Sequence, residues 1–224
     1  MNVYNYIKDA IVLGKYEPGM RLTEEHLAKE LQMSRTPIRE AIKKLQADGL
    51  IVPLKRGVSV RSFTKEDIRQ IYDLRTLLEG YAASQAAIHR TEKDLEKMAE
   101  ANELYKQAID ECVQSDIHSV KRVVEVNQQF HEAVVMASRN QHIHFHISKV
   151  VVVPLIFRSF YWYDRGMLER SLEVHRIILK AIENQESERA RIAMHEHIYE
   201  GRDHVLTHLE DIKNHHLIKE EDVH

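Results

Sequence analysis

From residue 64 almost to the C-terminus, apolar residues recur at three- and four-residue spacing, with no stretch of strand-like alternation. About 150 residues with that single period can bury their apolar stripes only by packing helix against helix. Capping residues and breakers divide the run into helices over about 64–89, 91–113, 116–138, 141–163 (broken near Pro154), 167–184 and 187–213. The expected architecture is an all-α antiparallel helical bundle, whose sites are built from side chains facing its middle.

Three of these helices carry polar residues inside the apolar stripe. In VKRVVEVNQQFHEAVV, Asn127 and His131 are four apart and differ by about 40° in direction. Val120, Val123, Val124, Phe130, Val134 and Val135 surround that direction, so both point inward. His175 lies amid Leu168, Leu172, Ile178, Leu179 and Ile182, and His197 shares a face with Ala190, Ala193, Met194 and Gly201. For one ring, a hydrogen-bonded core histidine is the ordinary outcome. A buried imidazole without a partner costs on the order of 1–3 kcal/mol, so three of them plus an amide point to one shared partner. A divalent metal fits, because neutral imidazole is a favoured ligand for Zn²⁺ and its neighbours. Zn²⁺ is expected first, with Ni²⁺ or Mn²⁺ as alternatives. His204 and His208 lie on the His197 face as spare candidates, whereas His142, His144 and His146 alternate in direction. Arg75 and Glu79 also fall on an apolar face, where an i,i+4 ion pair is the simplest account.

The first 63 residues follow different rules. Val3 to Leu13 suits a short amphipathic helix, and Lys15 to Gly19 contains a Pro-Gly turn. Thr23 caps a second helix with an apolar stripe of Leu27, Ala28 and Leu31. Ser34 is the expected N-cap of a third, its side-chain oxygen taking a first-turn amide, and Gly49 ends it. Ile38, Ala41, Ile42 and Leu45 form the packed arc of this helix; Arg35, Arg39, Lys43 and Gln46 form an exposed one. Two short β-rich runs around Arg56-Gly57 then make a hairpin. Helix-turn-helix followed by a hairpin is a winged helix. Its third helix would present Arg35 and Arg39 to base edges or phosphates, since guanidinium forks match such acceptors in two bonds. Ser34 and Thr36 can hold phosphate near the helix N-terminus, and Lys55, Arg56 and Gly57 at the wing tip can reach the flanking groove.

Charge agrees with this division. Residues 1–63 carry 11 Lys+Arg against 7 Asp+Glu, whereas the remainder carries 21 against 28. Only the front can meet a polyanion. The expected organisation is therefore a DNA-binding domain over 1–63 and a helical-bundle domain over 64–224. A single cysteine, Cys112, excludes a disulfide framework and a cysteine-rich metal site. No apolar run is long enough for a membrane span and no signal-peptide pattern opens the chain, so a cytoplasmic location without membrane partners is expected.

The stretch PGMRLTEEHLAKELQMSRTPIREAIKKLQADGLI, with the later RGVSV, resembles the DNA-binding domain of the GntR family of bacterial transcription regulators over about residues 3–61. The resemblance implies a homodimer reading a short palindromic operator in double-stranded DNA, with Arg35 and Arg39 as main contacts. Glu25 stands where some relatives carry a DNA-contacting arginine. IRQIYDLRTLLEGYAASQAA, NQQFHEAVV, EVHRIILKAI and AMHEHI resemble the FCD effector domain of the FadR subfamily over about residues 66–210. There an acidic residue or Asn and three histidines bind metal, which maps onto Asn127, His131, His175 and His197. The resemblance also implies that Arg75 clamps a small carboxylate effector; Arg158, Tyr161 and Tyr163 are further residues that can line the same cavity.

The expected function is thus a ligand-responsive transcription regulator, a repressor as is usual in the family. Two other classes share some of these features. A metal-sensing regulator would share every DNA-binding feature. A metal-dependent enzyme is disfavoured: no HExxH occurs, and the only Glu-x-x-His is Glu221/His224 at the chain end.

Overall fold

The computed structural model describes residues 2–113, 116–151, 159–160 and 162–209. They form a mostly helical protein with one small sheet, and its contacts divide it into two compact units.

The first unit contains α1 (Val3–Val12), β1 (Arg21–Leu22), α2 (Glu24–Glu30), α3 (Arg35–Ala47), β2 (Ile51–Pro53) and β3 (Val58–Val60). Ile7, Leu22, Leu27, Ile38 and Leu45 are fully buried in one core, so the apolar stripe of each helix faces the same centre. The Thr23 hydroxyl accepts from the His26 amide at 3.1 Å and starts α2. Ser34 occupies the N-cap position of α3 but makes no side-chain cap hydrogen bond, contrary to expectation. Its backbone is extended, as at an N-cap, and the residue is exposed.

The hairpin is present, with the Leu54 amide donating to the Gly57 carbonyl at 3.1 Å. It is also larger than the sequence suggested, because β1 adds a third strand and gives the antiparallel order β1-β3-β2. Two residues are too few to show a period, so β1 carried no sequence signal. Its presence explains Gly57: φ is +84°, and a Cβ there would lie 2.5 Å from the Leu22 carbonyl oxygen.

The second unit is a helical bundle of α4 (Lys65–His89), α5 (Glu92–Glu111), α6 (Ile117–Ala137), α7 (Gln141–Val150), α8 (Arg165–Glu183) and α9 (Ser187–Thr207). The most extensive pairings are α4 with α9 and α5 with α6. Ala82, Ala83, Ala86 and Ala190 are wholly buried, and Ala82 packs with Val135 of α6 and Ile147 of α7. Gly80 allows a side chain to cross the backbone, since a Cβ there would fall 2.2 Å from the His195 ring. The helix expected over 141–163 ends at Val150; Pro154, Arg158 and Tyr161 lie outside the described residues. No helix among the described residues is long and apolar enough to cross a membrane.

Candidate metal centre and nucleic-acid interface

In the first unit, the buried arc of α3 (Ile38, Ala41, Ile42, Leu45) fixes which side chains remain outside. Ser34, Arg35, Thr36, Arg39 and Lys43 are all exposed along it, and Lys55, Arg56 and Gly57 are exposed at the hairpin tip. The Arg56 carbonyl accepts from Arg21 Nε at 3.0 Å, tying the tip back to β1.

The arginines of α3 do not stand alone. Arg39 Nε and Nη2 donate to Glu24 Oε1 and Oε2 at 3.0 and 2.9 Å, a fork-to-fork pair. Hydrogen bonding from Arg39 lowers the Glu24 carboxyl below its usual range. Arg35 Nη2 lies 4.0 Å from Glu25 Oε2. The Glu24 contact was invisible in the sequence, because it joins residues 15 apart across the turn between α2 and α3.

In the second unit, three histidines from three helices converge. His131 on α6 is 5% exposed and His175 on α8 is wholly buried; His197 on α9 is partly buried. His197 Nε2 lies 3.1 Å from His131 Nε2 and 3.1 Å from His175 Nε2. All three candidate ligand atoms fall within 4.8 Å of one another. Phe130 stacks on the His175 ring with centroids 4.1 Å apart, and Tyr105 lies against it at 5.4 Å, so the ring is held by packing.

Burial, then the neighbouring rings of His197 and His131, hold the His175 imidazole well below its ordinary range. Burial and the His131 ring, helped by Arg75, push His197 down to about 3 against the pull of Glu79. Both rings are therefore neutral near pH 7. Two neutral rings share at most one ring proton at a contact, and His197 Nε2 faces two neighbours at once. With one proton at most on that atom, it cannot form a linear hydrogen bond to both. A cation accepting all the lone pairs resolves the conflict. Metal–imidazole bonds of about 2.0–2.1 Å place neighbouring ligand nitrogens roughly 3 Å apart.

Asn127 lies one turn before His131 on α6, buried, and its Oδ1 has no hydrogen-bond partner. An orphaned buried acceptor one turn from His131 is what a bound cation would satisfy. The residues present fit a divalent ion, with His131, His175 and His197 as the clustered donors. His204 and His208 belong to a different arrangement. His204 Nε2 lies 3.2 Å from the Ser159 carbonyl, and His208 Nδ1 lies 3.0 Å from the His204 carbonyl.

Arg75 and Glu79 form the buried pair that the spacing suggested, with Arg75 Nε donating to Glu79 Oε1 at 2.9 Å. The spacing did not show that Glu79 Oε2 also meets His131 Nδ1 at 2.8 Å. Burial alone would raise the Glu79 carboxyl. Arg75 and His131 outweigh it and bring the group down to about 2, so it is ionised. Arg75 also lies 4.9 Å from the centre of the Tyr72 ring, and the Tyr163 hydroxyl would be 3.8 Å from a Cβ at Gly201, on the face that Tyr72 covers.

Residues 1–60 match the family of bacterial regulatory proteins described as gntR, and residues 70–200 match the FCD domain. The chain belongs to the GntR family. It is an FCD-containing transcriptional regulator and not an enzyme. Among similar proteins is YdhC, an HTH-type transcriptional regulator of Bacillus subtilis, 29% identical over 95% of this chain and 91% of its own. The gluconate operon transcriptional repressor of the same species is 29% identical over 90% of this chain and 81% of its own. The solved structure of Escherichia coli McbR/YncC shares the fold, with a TM-score of 0.75, 24% identity, and coverage of 93% of this chain and 96% of that one.

Proposed function

We propose that this GntR-family regulator is a cytoplasmic, homodimeric repressor whose grip on a palindromic operator is set by a small carboxylate bound beside a metal ion. Ser34, Arg35, Thr36, Arg39 and Lys43 on α3, with Lys55, Arg56 and Gly57 on the wing, form the DNA-reading surface. Support comes from their shared exposure and from the repressor function named for the gluconate operon relative. A dimer reads two half-sites a fixed distance apart, so a small change in how two copies are held suffices to release DNA.

The observation that carries the effector half of the reading is the meeting of three Nε2 atoms around His197. His131, His175 and His197, with Asn127 Oδ1, would hold a divalent ion, Zn²⁺ by the chemistry of the nitrogen donors. When bound, it supplies a Lewis-acidic positive centre. All four proposed donors are uncharged, and the Glu79 carboxylate that meets His131 is already matched by Arg75. The centre therefore keeps its full charge, which favours an anionic ligand. Arg75 is the proposed second contact for the acid, which would have to draw the guanidinium from Glu79.

A thermal-shift screen of carboxylic, hydroxy and sugar acids against metal-loaded and chelator-stripped protein tests this. A ligand at 100 times its Kd stabilises by about 2.7 kcal/mol. The expected result is an acid that raises the melting temperature only when metal is present. If metal alone shifts the melt and no acid does, the carboxylate reading falls and the metal itself becomes the signal. Operator binding measured against free metal then decides that second reading.

A further inference from the structure

We propose that Glu79 is the positioning residue of the metal centre: its carboxylate fixes the proton of His131 on Nδ1 and so turns the Nε2 lone pair toward His175 and His197. The metal consequence rests on the reading above, while the ring orientation does not.

Glu79 is 2% exposed, and both of its oxygens are committed. Oε1 takes the Nε–H of Arg75, and Oε2 meets His131 Nδ1 at 2.8 Å from a residue 52 positions away. With Oε1 taken by the Arg75 guanidinium, the carboxylate acts as acceptor on both oxygens, so the shared hydrogen belongs to Nδ1. A neutral imidazole protonated at Nδ1 has its lone pair on Nε2. That nitrogen is the one 3.1 Å from His197 Nε2. A carboxylate donating its charge through the far nitrogen of a ligand ring both orients the ring and raises its basicity.

The arrangement answers a question posed by Asn127. An amide in this position brings no negative charge to the centre. Glu79 instead acts on the far nitrogen of the His131 ring, and Arg75 both balances its charge and keeps that carboxylate in place. A purely structural Glu79, present only to neutralise buried Arg75, would leave the His131 tautomer unset.

Removing Glu79 alone would leave Arg75 buried without a partner, so the test uses the paired replacement Arg75→Met with Glu79→Leu in the full-length chain. Two measurements are made: ring ¹⁵N shifts of His131 in metal-free protein, and Zn²⁺ affinity by competition with a chelator. The wild type is expected to show His131 protonated at Nδ1 and unprotonated at Nε2. The folded double variant is expected to lose that single tautomer and to bind Zn²⁺ about 10–100-fold more weakly. A wild-type His131 protonated at Nε2 overturns the proposal, as does a folded double variant with unchanged tautomer and Zn²⁺ affinity. Should the wild type bind no Zn²⁺, the metal reading fails, and the ¹⁵N shifts alone decide the role of Glu79. If the double variant does not fold, Glu79→Gln gives the affinity test, because it keeps an acceptor and removes the charge.

Discussion

Two arginine–glutamate pairs, one in each unit, have nearly the same bond length and opposite physical meaning. Arg39 Nη2 and Glu24 Oε2 are 2.9 Å apart with side chains 59% and 33% exposed. Arg75 Nε and Glu79 Oε1 are also 2.9 Å apart, with side chains 9% and 2% exposed. Water competes for the first pair and is excluded from the second, so the same contact is cheap to open on α3 and expensive to open on α4. A cation proposed to be handed to DNA belongs in the first environment. A carboxylate that must hold a ring in one orientation belongs in the second.

The comparison can be broken most severely at Glu79. Glu79→Ala leaves the Arg75 charge buried and unpaired, and is expected to cost about 3–5 kcal/mol in urea or thermal unfolding. An unfolding curve close to wild type would mean that water reaches the pair, and the contrast would be lost. Next comes Arg39→Ala, expected to weaken operator binding roughly tenfold to a hundredfold in a fluorescence titration while the melting temperature is unchanged. Equal losses on operator and random DNA would show that Arg39 contacts phosphate only.

A third expectation concerns acid. Burial and the neighbouring His208 lower His204 to about 4, against the Ser159 carbonyl and Asp164, which pull it up. An unfolded histidine titrates near 6.5, so between these values the unfolded chain holds more protons and acid favours unfolding. Stability should be full above about pH 6.5 and fall as the pH drops toward about 4. His204→Gln should flatten part of that slope in melts taken across the range; an unchanged slope would mean that His204 is solvated. The smallest effect is Glu24→Gln, which should leave the melting temperature within about 1 °C of wild type, because exposed pairs contribute little. It should tighten DNA binding slightly at low salt by releasing Arg39, and the gain should vanish at high salt.

Much of this is legible in the sequence. The stripes of Ile38, Ala41, Ile42 and Leu45, and of Val120, Val123, Val124, Phe130, Val134 and Val135, gave helices whose buried faces the structure reproduces. The same period put Asn127, His131 and His175 inside, and all three are buried. The wing followed from the Arg56-Gly57 turn. What escaped were features with no period or no local partner. The strand β1 is two residues long, and the Ser34 hydroxyl does not make the cap bond that its position invites.

A residue's direction on a helix is set by its place in the chain, because the backbone repeats every 3.6 residues whatever surrounds it. The sequence alone therefore determined the helices, the inward histidines and the outward arginines. It also allowed the Arg75–Glu79 pair, whose partners are one turn apart, beside a carboxylate-clamping role for Arg75. Which faces meet is a different matter, set by the relative sliding and rotation of whole helices until their side chains interlock. Only the tertiary structure brought Glu24 to Arg39, Glu79 to His131 and three Nε2 atoms to one point. Those contacts join residues 15, 52, 66 and 22 positions apart, distances over which no local period carries information.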